Sequence, residues 1–168
     1  MTMDDLNFEE LDSLIPAAVG EPGSRVFYMQ ARHGDRVVVL KLEKEQVGML
    51  GGYLGSILGV IGSPEPDRDI AGLIEPVNPI WTVGSISVGV DENTGSVLVT
   101  AEEFRPEIDD DFVLGDEDAP ASARFVIRGP QAAAFAEAAA ELMSAGRPPC
   151  RLCGAPIDAS GHNCPRWN

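Results

Sequence analysis

The sequence predicts an α+β fold in which a mainly antiparallel sheet of about five strands packs against two principal helices. Paired β-rich runs flank short Gly-containing turns, a pattern typical of hairpins. Two other segments have helical character, one opened by acidic residues and one rich in alanine. With 168 residues and a hydrophobic content of 44%, the chain is long enough for one domain with its own core and a small appendage.

The first segment, residues 1–23, is predicted to be an acidic N-terminal tail. Five acidic residues lie within the first dozen positions, and such runs repel one another and stay hydrated. Leucines among these acids would also allow a short docking helix near Asp5–Leu14. The segment has neither a basic n-region nor an apolar h-region, so it does not have the pattern of a secretory signal peptide.

The α+β domain is predicted to span residues 24–146 and to begin with a hairpin formed by residues 25–32 and 36–42. Acidic residues from Glu43 then start a helix whose second half, residues 47–62, is uncharged and rich in glycine. A membrane-spanning helix with small-residue packing is one interpretation of this run. We favour a core helix, because the run is short for a span, is diluted with glycine and has no flanking basic cluster.

The second half of the domain is predicted to contain another hairpin, with residues 81–90 and 96–104 as its strands. A strand at residues 123–128 and an Ala-rich helix from Gln131 follow. Residues 102–118, called the acidic loop below, carry nine acidic residues and a single arginine. We expect this loop to be hydrated and exposed.

Two strand-to-helix segments resemble each other. Residues 39–50 and 124–135 both read as a strand, a three-residue break, a glutamine (Gln46 or Gln131) and an apolar residue four places on. A duplicated ββα unit would explain this similarity. The alternative is that any strand-to-helix junction looks alike over so few residues.

The charge balance limits the class of partner. Twelve basic and 27 acidic residues give a net charge of −15, which argues against broad binding to nucleic acids or anionic membranes. Asp109, Asp110 and Asp111 lack the ligand pattern of an EF-hand, so we interpret them as part of a hydrated loop that could contact a protein with a basic surface.

The motif that carries chemistry lies in residues 147–168, called the knuckle below. Cys150, Cys153, His162 and Cys164 fall within fifteen residues, and they include every cysteine of the chain. Two thiolates of a CxxC pair can reach one ion, and four N/S ligands form the closed tetrahedral set of structural zinc. A redox pair is the alternative, but such pairs usually open a helix, whereas Cys150 follows Pro-Pro. A catalytic zinc would keep a vacant position and a nearby base, and the only acid near these ligands is Asp158.

The C-terminal run from Pro149 to Asn168 resembles the signature of an uncharacterised actinobacterial family, domain-of-unknown-function family 3090. The resemblance extends over most of the chain, including the two segments with Gln46 and Gln131. It implies an internal repeat, and it implies a cytoplasmic protein encoded beside a histidine-phosphatase-like and a lipid-kinase-like protein. It implies no established activity.

These observations predict a non-enzymatic, cytoplasmic zinc-binding adaptor or regulatory subunit, since no nucleophile–base pair or phosphate-binding loop is evident. Arg166 and Trp167 could anchor the knuckle on the main domain or on a partner. One alternative is an enzyme that uses Glu102, Glu103 or Asp109 in a groove between sheet and helices. A second is a zinc knuckle that binds single-stranded RNA, which the net charge opposes.

Overall fold

Two antiparallel three-strand meanders, each followed by one helix, form most of the structure. The computed structural model describes residues 6–106, 119–157 and 160–166. Along the chain the elements are β1 (Asn7–Phe8), β2 (Ser13–Val19), β3 (Val26–His33), β4 (Arg36–Leu42), α1 (Lys44–Ile61), β5 (Val83–Asp91), β6 (Ser96–Glu103), β7 (Ser122–Ile127) and α2 (Gly129–Ser144). Both predicted hairpins, the strand after the acidic loop and both principal helices are therefore confirmed.

The strands belong to two sheets, so the prediction of a single sheet of about five strands is wrong. One sheet has the order β2-β3-β4, and the other has the order β1-β7-β6-β5. Among the strands that the structure describes, the pairing of β1 with β7 is parallel and the others are antiparallel. The sheets meet where the backbone N–H of Lys41 in β4 donates to the carbonyl of Trp81, just before β5.

The N-terminal segment differs most from its prediction. Leu6, Phe8, Leu11 and Leu14 are buried in the core, and the helix expected near Asp5–Leu14 is replaced by strands β1 and β2. Leu14 is fully buried, and the ring of Phe8 stacks on that of Phe125 with centroids 5.7 Å apart. Pro16 lies within β2, which is tolerated because β2 is an edge strand.

The two helices pack directly against each other. A Cβ added at Gly51 of α1 would clash with the Cβ of Ala139 in α2, so this glycine permits the close approach of the helices. Gly52, Gly55 and Gly59 have no such neighbour and face outward. In the part of the chain that the structure describes, no helix is both long enough and apolar enough to cross a membrane. The core-helix interpretation of residues 47–62 is supported by the burial of Leu54 and Ile57.

Gln46 and Gln131 occupy the same position, the third residue, of α1 and α2. The side-chain oxygen of each accepts the backbone N–H of the residue before its helix, at 2.9 Å in both cases. The amide nitrogen of Gln46 donates to the carbonyls of Val83 and Gly84 at the start of β5. That of Gln131 donates to two carbonyls immediately before β2. Each helix is thus tied to the first strand of the other meander.

This arrangement repeats three strands and a helix, rather than the two strands and a helix suggested by the sequence. The first two residues of the acidic loop, Glu102 and Glu103, lie at the end of β6, and the rest of the loop belongs to the longer connection between β6 and β7, whereas two residues join β3 to β4. Duplication of an ancestral unit stays a prediction.

Candidate metal centre

A short hairpin-like turn after α2 carries the first two cysteines. Pro149 pairs with Pro156 across this turn, and the backbone N–H of Cys150 donates to the carbonyl of Ala155 at 2.7 Å. The N–H of Gly154 closes the turn on the carbonyl of Cys150 at 2.8 Å. Gly154 has a φ of 75°, a left-handed conformation that glycine adopts without steric cost. The CxxCG sequence therefore folds back within five residues and presents both sulfurs on one side.

The structure brings the four predicted ligands together. The three Sγ atoms and one imidazole nitrogen of Cys150, Cys153, His162 and Cys164 all lie within 4.8 Å of one another. The Sγ atoms of Cys150 and Cys164 are 3.9 Å apart, and the Sγ of Cys153 is 3.2 Å from Nε2 of His162. These four residues could hold a metal ion.

The separations fit the size of a zinc ion. Zn–S bonds of about 2.3 Å at tetrahedral angles imply sulfur atoms about 3.8 Å apart. The 3.9 Å between the Sγ atoms of Cys150 and Cys164 agrees with that value, so this pair already has the separation that zinc requires. The donor set of three sulfurs and one nitrogen is one that zinc uses in structural sites.

The two ends of the ligand set have opposite acid–base properties. Hydrogen bonds from the backbone N–H groups of Cys153 and Leu152 lower the pKa of the Cys150 thiol, because they stabilise its thiolate. Burial raises the pKa of the Cys164 thiol. Cys150 is therefore the easier of the two to ionise, and Cys164 is the one whose ionisation depends more on a bound cation.

Arg166 belongs to the knuckle itself. Its guanidinium donates to the carbonyl of Leu152 at 3.2 Å and so connects Arg166 to the CxxC turn. This contact lies within the knuckle, and the predicted role of Arg166 in anchoring the knuckle on the main domain or on a partner stays a prediction. Trp167 lies outside the described residues, as do Asp109, Asp110 and Asp111.

Glu102 and Glu103, the carboxylates considered for an enzyme site, both have partners near the end of β6. Glu102 accepts the hydroxyl of Ser85 at 2.8 Å. Glu103 accepts the backbone N–H of Ala121 at 3.2 Å and pairs with Arg105 at 3.4 Å. Glu103 thereby joins the two ends of the connection that contains the acidic loop.

A cavity of about 610 Å³ lies between the knuckle and the body of the protein, and sequence reasoning missed it. Pro149 and Pro156 of the knuckle form one side. The other sides come from β3, from the junction of β4 with α1, and from the end of α2. The only local signal in the sequence is that both lysines of the chain, Lys41 and Lys44, lie three residues apart at this junction.

Comparison with known proteins finds no match among curated proteins and none among solved structures. A family model described as "Protein of unknown function (DUF3090)" matches residues 6–164. The match includes both meanders, both helices and all four ligand-bearing residues. It covers nearly the whole chain, and the chain therefore belongs to the DUF3090 family.

Proposed function

We propose that this protein is a non-enzymatic, cytoplasmic adaptor or regulatory subunit that carries one structural zinc ion. The observation that supports the zinc is the convergence of four N/S donors within 4.8 Å in a separate C-terminal module. Four protein ligands fill a tetrahedral set, which suits a structural role better than a catalytic one.

The composition of the knuckle also favours a structural metal. It is too short to bury a core of its own, and Leu152, one of its few large apolar side chains, is 52% exposed. Small modules of this kind obtain their folding free energy from the metal. Zinc would thus fix the knuckle in the position where Pro149 and Pro156 face the body.

Metal analysis of the purified protein tests the zinc. We expect one zinc per chain, lost in Cys164→Ser and retained in Ser160→Ala, which changes an exposed side chain of the same segment. Far-UV circular dichroism should show that the body stays folded in both variants. The zinc site would be refuted if the metal-free wild-type protein were folded and its knuckle resisted proteolysis.

The adaptor role is supported by the charge of the chain. Among the N-terminal acids, Glu9 pairs with Arg124 at 3.0 Å and Asp12 accepts the backbone N–H of Gly34 at 2.7 Å, so both already have partners within the fold. The acidic loop is therefore our candidate for binding a partner with a basic surface. The family resemblance points to a histidine-phosphatase-like or lipid-kinase-like protein as the first partners to examine.

Capture of a partner from the native cytoplasm tests this role. We compare the wild type with the triple variant Asp109→Asn, Asp110→Asn, Asp111→Asn. The control, Glu65→Gln, Asp69→Asn, Glu92→Gln, removes the same charge from exposed positions outside the loop. We expect the wild type and the control to capture a stoichiometric partner that the loop variant does not capture. Added salt should release this partner. A partner retained equally by both variants, or the absence of any stoichiometric partner, contradicts the proposal.

Removal of residues 1–14 is unsuitable for this purpose. That deletion would take away Leu6, Phe8, Leu11 and Leu14, all of which are buried in the core. A loss of capture would then reflect unfolding.

A further inference from the structure

We propose that the cavity between the knuckle and the body binds a small polyanion, one whose phosphate or carboxylate groups supply at least two negative charges. This inference goes beyond the adaptor role and does not depend on it. It rests on the charge, the positioning and the size of the cavity.

The lining of the cavity is basic in a strongly acidic protein. Both lysines of the chain and two of its arginines line it: Arg25, Lys41, Lys44 and Arg147. The acidic side chain among the lining residues is that of Glu43. Glu43 immediately precedes α1, where the partial positive charge of the helix N-terminus compensates part of its negative charge. One third of the basic residues of a chain with a net charge of −15 thus surround a single cavity.

The arginines are held in place by contacts with the body. The guanidinium of Arg25 lies over the ring of Phe27, 5.6 Å from its centroid, and donates to the carbonyl of Ala145 at 3.1 Å. Arg147 packs against Gly23, where a Cβ would lie 3.2 Å from its Cζ atom. Lys41 is half-buried in β4. A guanidinium group can donate two parallel hydrogen bonds to a phosphate or a carboxylate. Because the protein already holds these arginines in place, they lose less conformational entropy when a ligand binds.

The size of the cavity favours a small ligand over a peptide or a polymer. A volume of about 610 Å³ lies within the range of roughly 300–1,000 Å³ that is usual for small-molecule sites. Three sides come from the body and one from the knuckle, so the ligand would be in contact with protein on several sides. A phosphorylated metabolite or a di- or tricarboxylate has matching dimensions and charge.

Isothermal titration calorimetry of the zinc-loaded, full-length protein tests the proposal, with inorganic pyrophosphate and citrate as probes at low ionic strength. Binding of either probe with a Kd below about 1 mM is expected. Tighter binding of pyrophosphate would assign the phosphate class, and tighter binding of citrate would assign the carboxylate class. No binding of either probe would overturn the proposal.

Two variants locate the bound probe. Lys44 is exposed at the start of α1, so Lys44→Gln should fold normally and weaken binding about tenfold. Lys41→Gln combined with Lys44→Gln should abolish measurable binding. The control Arg68→Gln removes one positive charge from a side chain that is 71% exposed and pairs with Glu137 rather than lining the cavity. Its affinity should change less than about twofold, because solvent and salt screen a distant surface charge. Equal losses in Lys44→Gln and Arg68→Gln would mean non-specific attraction and would overturn the proposal.

Discussion

Replacement of Gln131 by alanine should destabilise the protein much more than the same replacement at Gln46. Both residues are the third residue of their helix and make the same type of capping bond. They differ in burial, because Gln131 is only 1% exposed whereas Gln46 is half-buried. The comparison therefore isolates the effect of solvent access on a matched pair of hydrogen-bonding side chains.

The magnitude follows from the bonds that each side chain makes. Gln131 accepts from the N–H of Arg128 at 2.9 Å and donates to the carbonyls of Leu11 at 2.7 Å and Asp12 at 3.2 Å. Its removal leaves the Leu11 carbonyl and the Arg128 N–H without these partners, and an unsatisfied buried group costs about 1–3 kcal/mol. We expect a loss of about 3–5 kcal/mol in the free energy of unfolding. At Gln46, water can replace the bonds of about 3.2 Å to Val83 and Gly84, so we expect a loss of about 1 kcal/mol.

Urea unfolding monitored by far-UV circular dichroism, with zinc at a constant concentration, measures both free energies. The wild type and both variants should unfold with similar dependence on urea, so that midpoints can be compared. Equal losses in the two variants, or a loss below about 1 kcal/mol for Gln131→Ala, would refute the reasoning.

Three further predictions test other parts of the structure. Gly51→Ala should destabilise the fold by about 1–3 kcal/mol through its clash with Ala139. Gly55→Ala, which meets no neighbour, should stabilise the fold by about 0.5–1 kcal/mol. Thermal unfolding measures both changes, and a stabilising Gly51→Ala or a destabilising Gly55→Ala would contradict the prediction. Leu14→Ala should cost about 2–5 kcal/mol in urea unfolding, while a change within about 0.5 kcal/mol would mean that residues 13–19 are dispensable for the core. Acidification should release zinc, because protons compete with the metal for the three cysteine thiolates. A colorimetric zinc chelator would follow the release, and zinc retention unchanged between about pH 7 and pH 4 would contradict this explanation.

The sequence predicted correctly those elements that form through contacts between residues close together in the chain. Alternation in residues 81–104 identified the β5–β6 hairpin, and alanine content identified α2. The metal ligands were also predictable, because a CxxC pair and the following histidine and cysteine are near one another in sequence.

The elements that sequence reasoning missed depend on distant partners. β1 has only two residues and exists because it pairs with β7, and β2 contains Pro16, which reads as a strand breaker unless its edge position is known. The division into two sheets likewise depends on which strands pair across the chain. The basic cavity combines Arg25 and Lys44 with Arg147 near the C-terminus, and no local pattern connects them.

The pairing of β1 with β7 has a consequence for synthesis of the protein on the ribosome. Glu9, next to β1, forms its ion pair with Arg124, 115 residues further along the chain. At about 5–20 residues per second, the N-terminal residues wait roughly 6 to 23 seconds for this partner to be translated. During that interval the buried side chains of Leu6 and Phe8 have no strand β7 to cover them. The segment from Leu6 to Phe8 therefore reaches its native packing only after Arg124 and Phe125 of β7 have been translated.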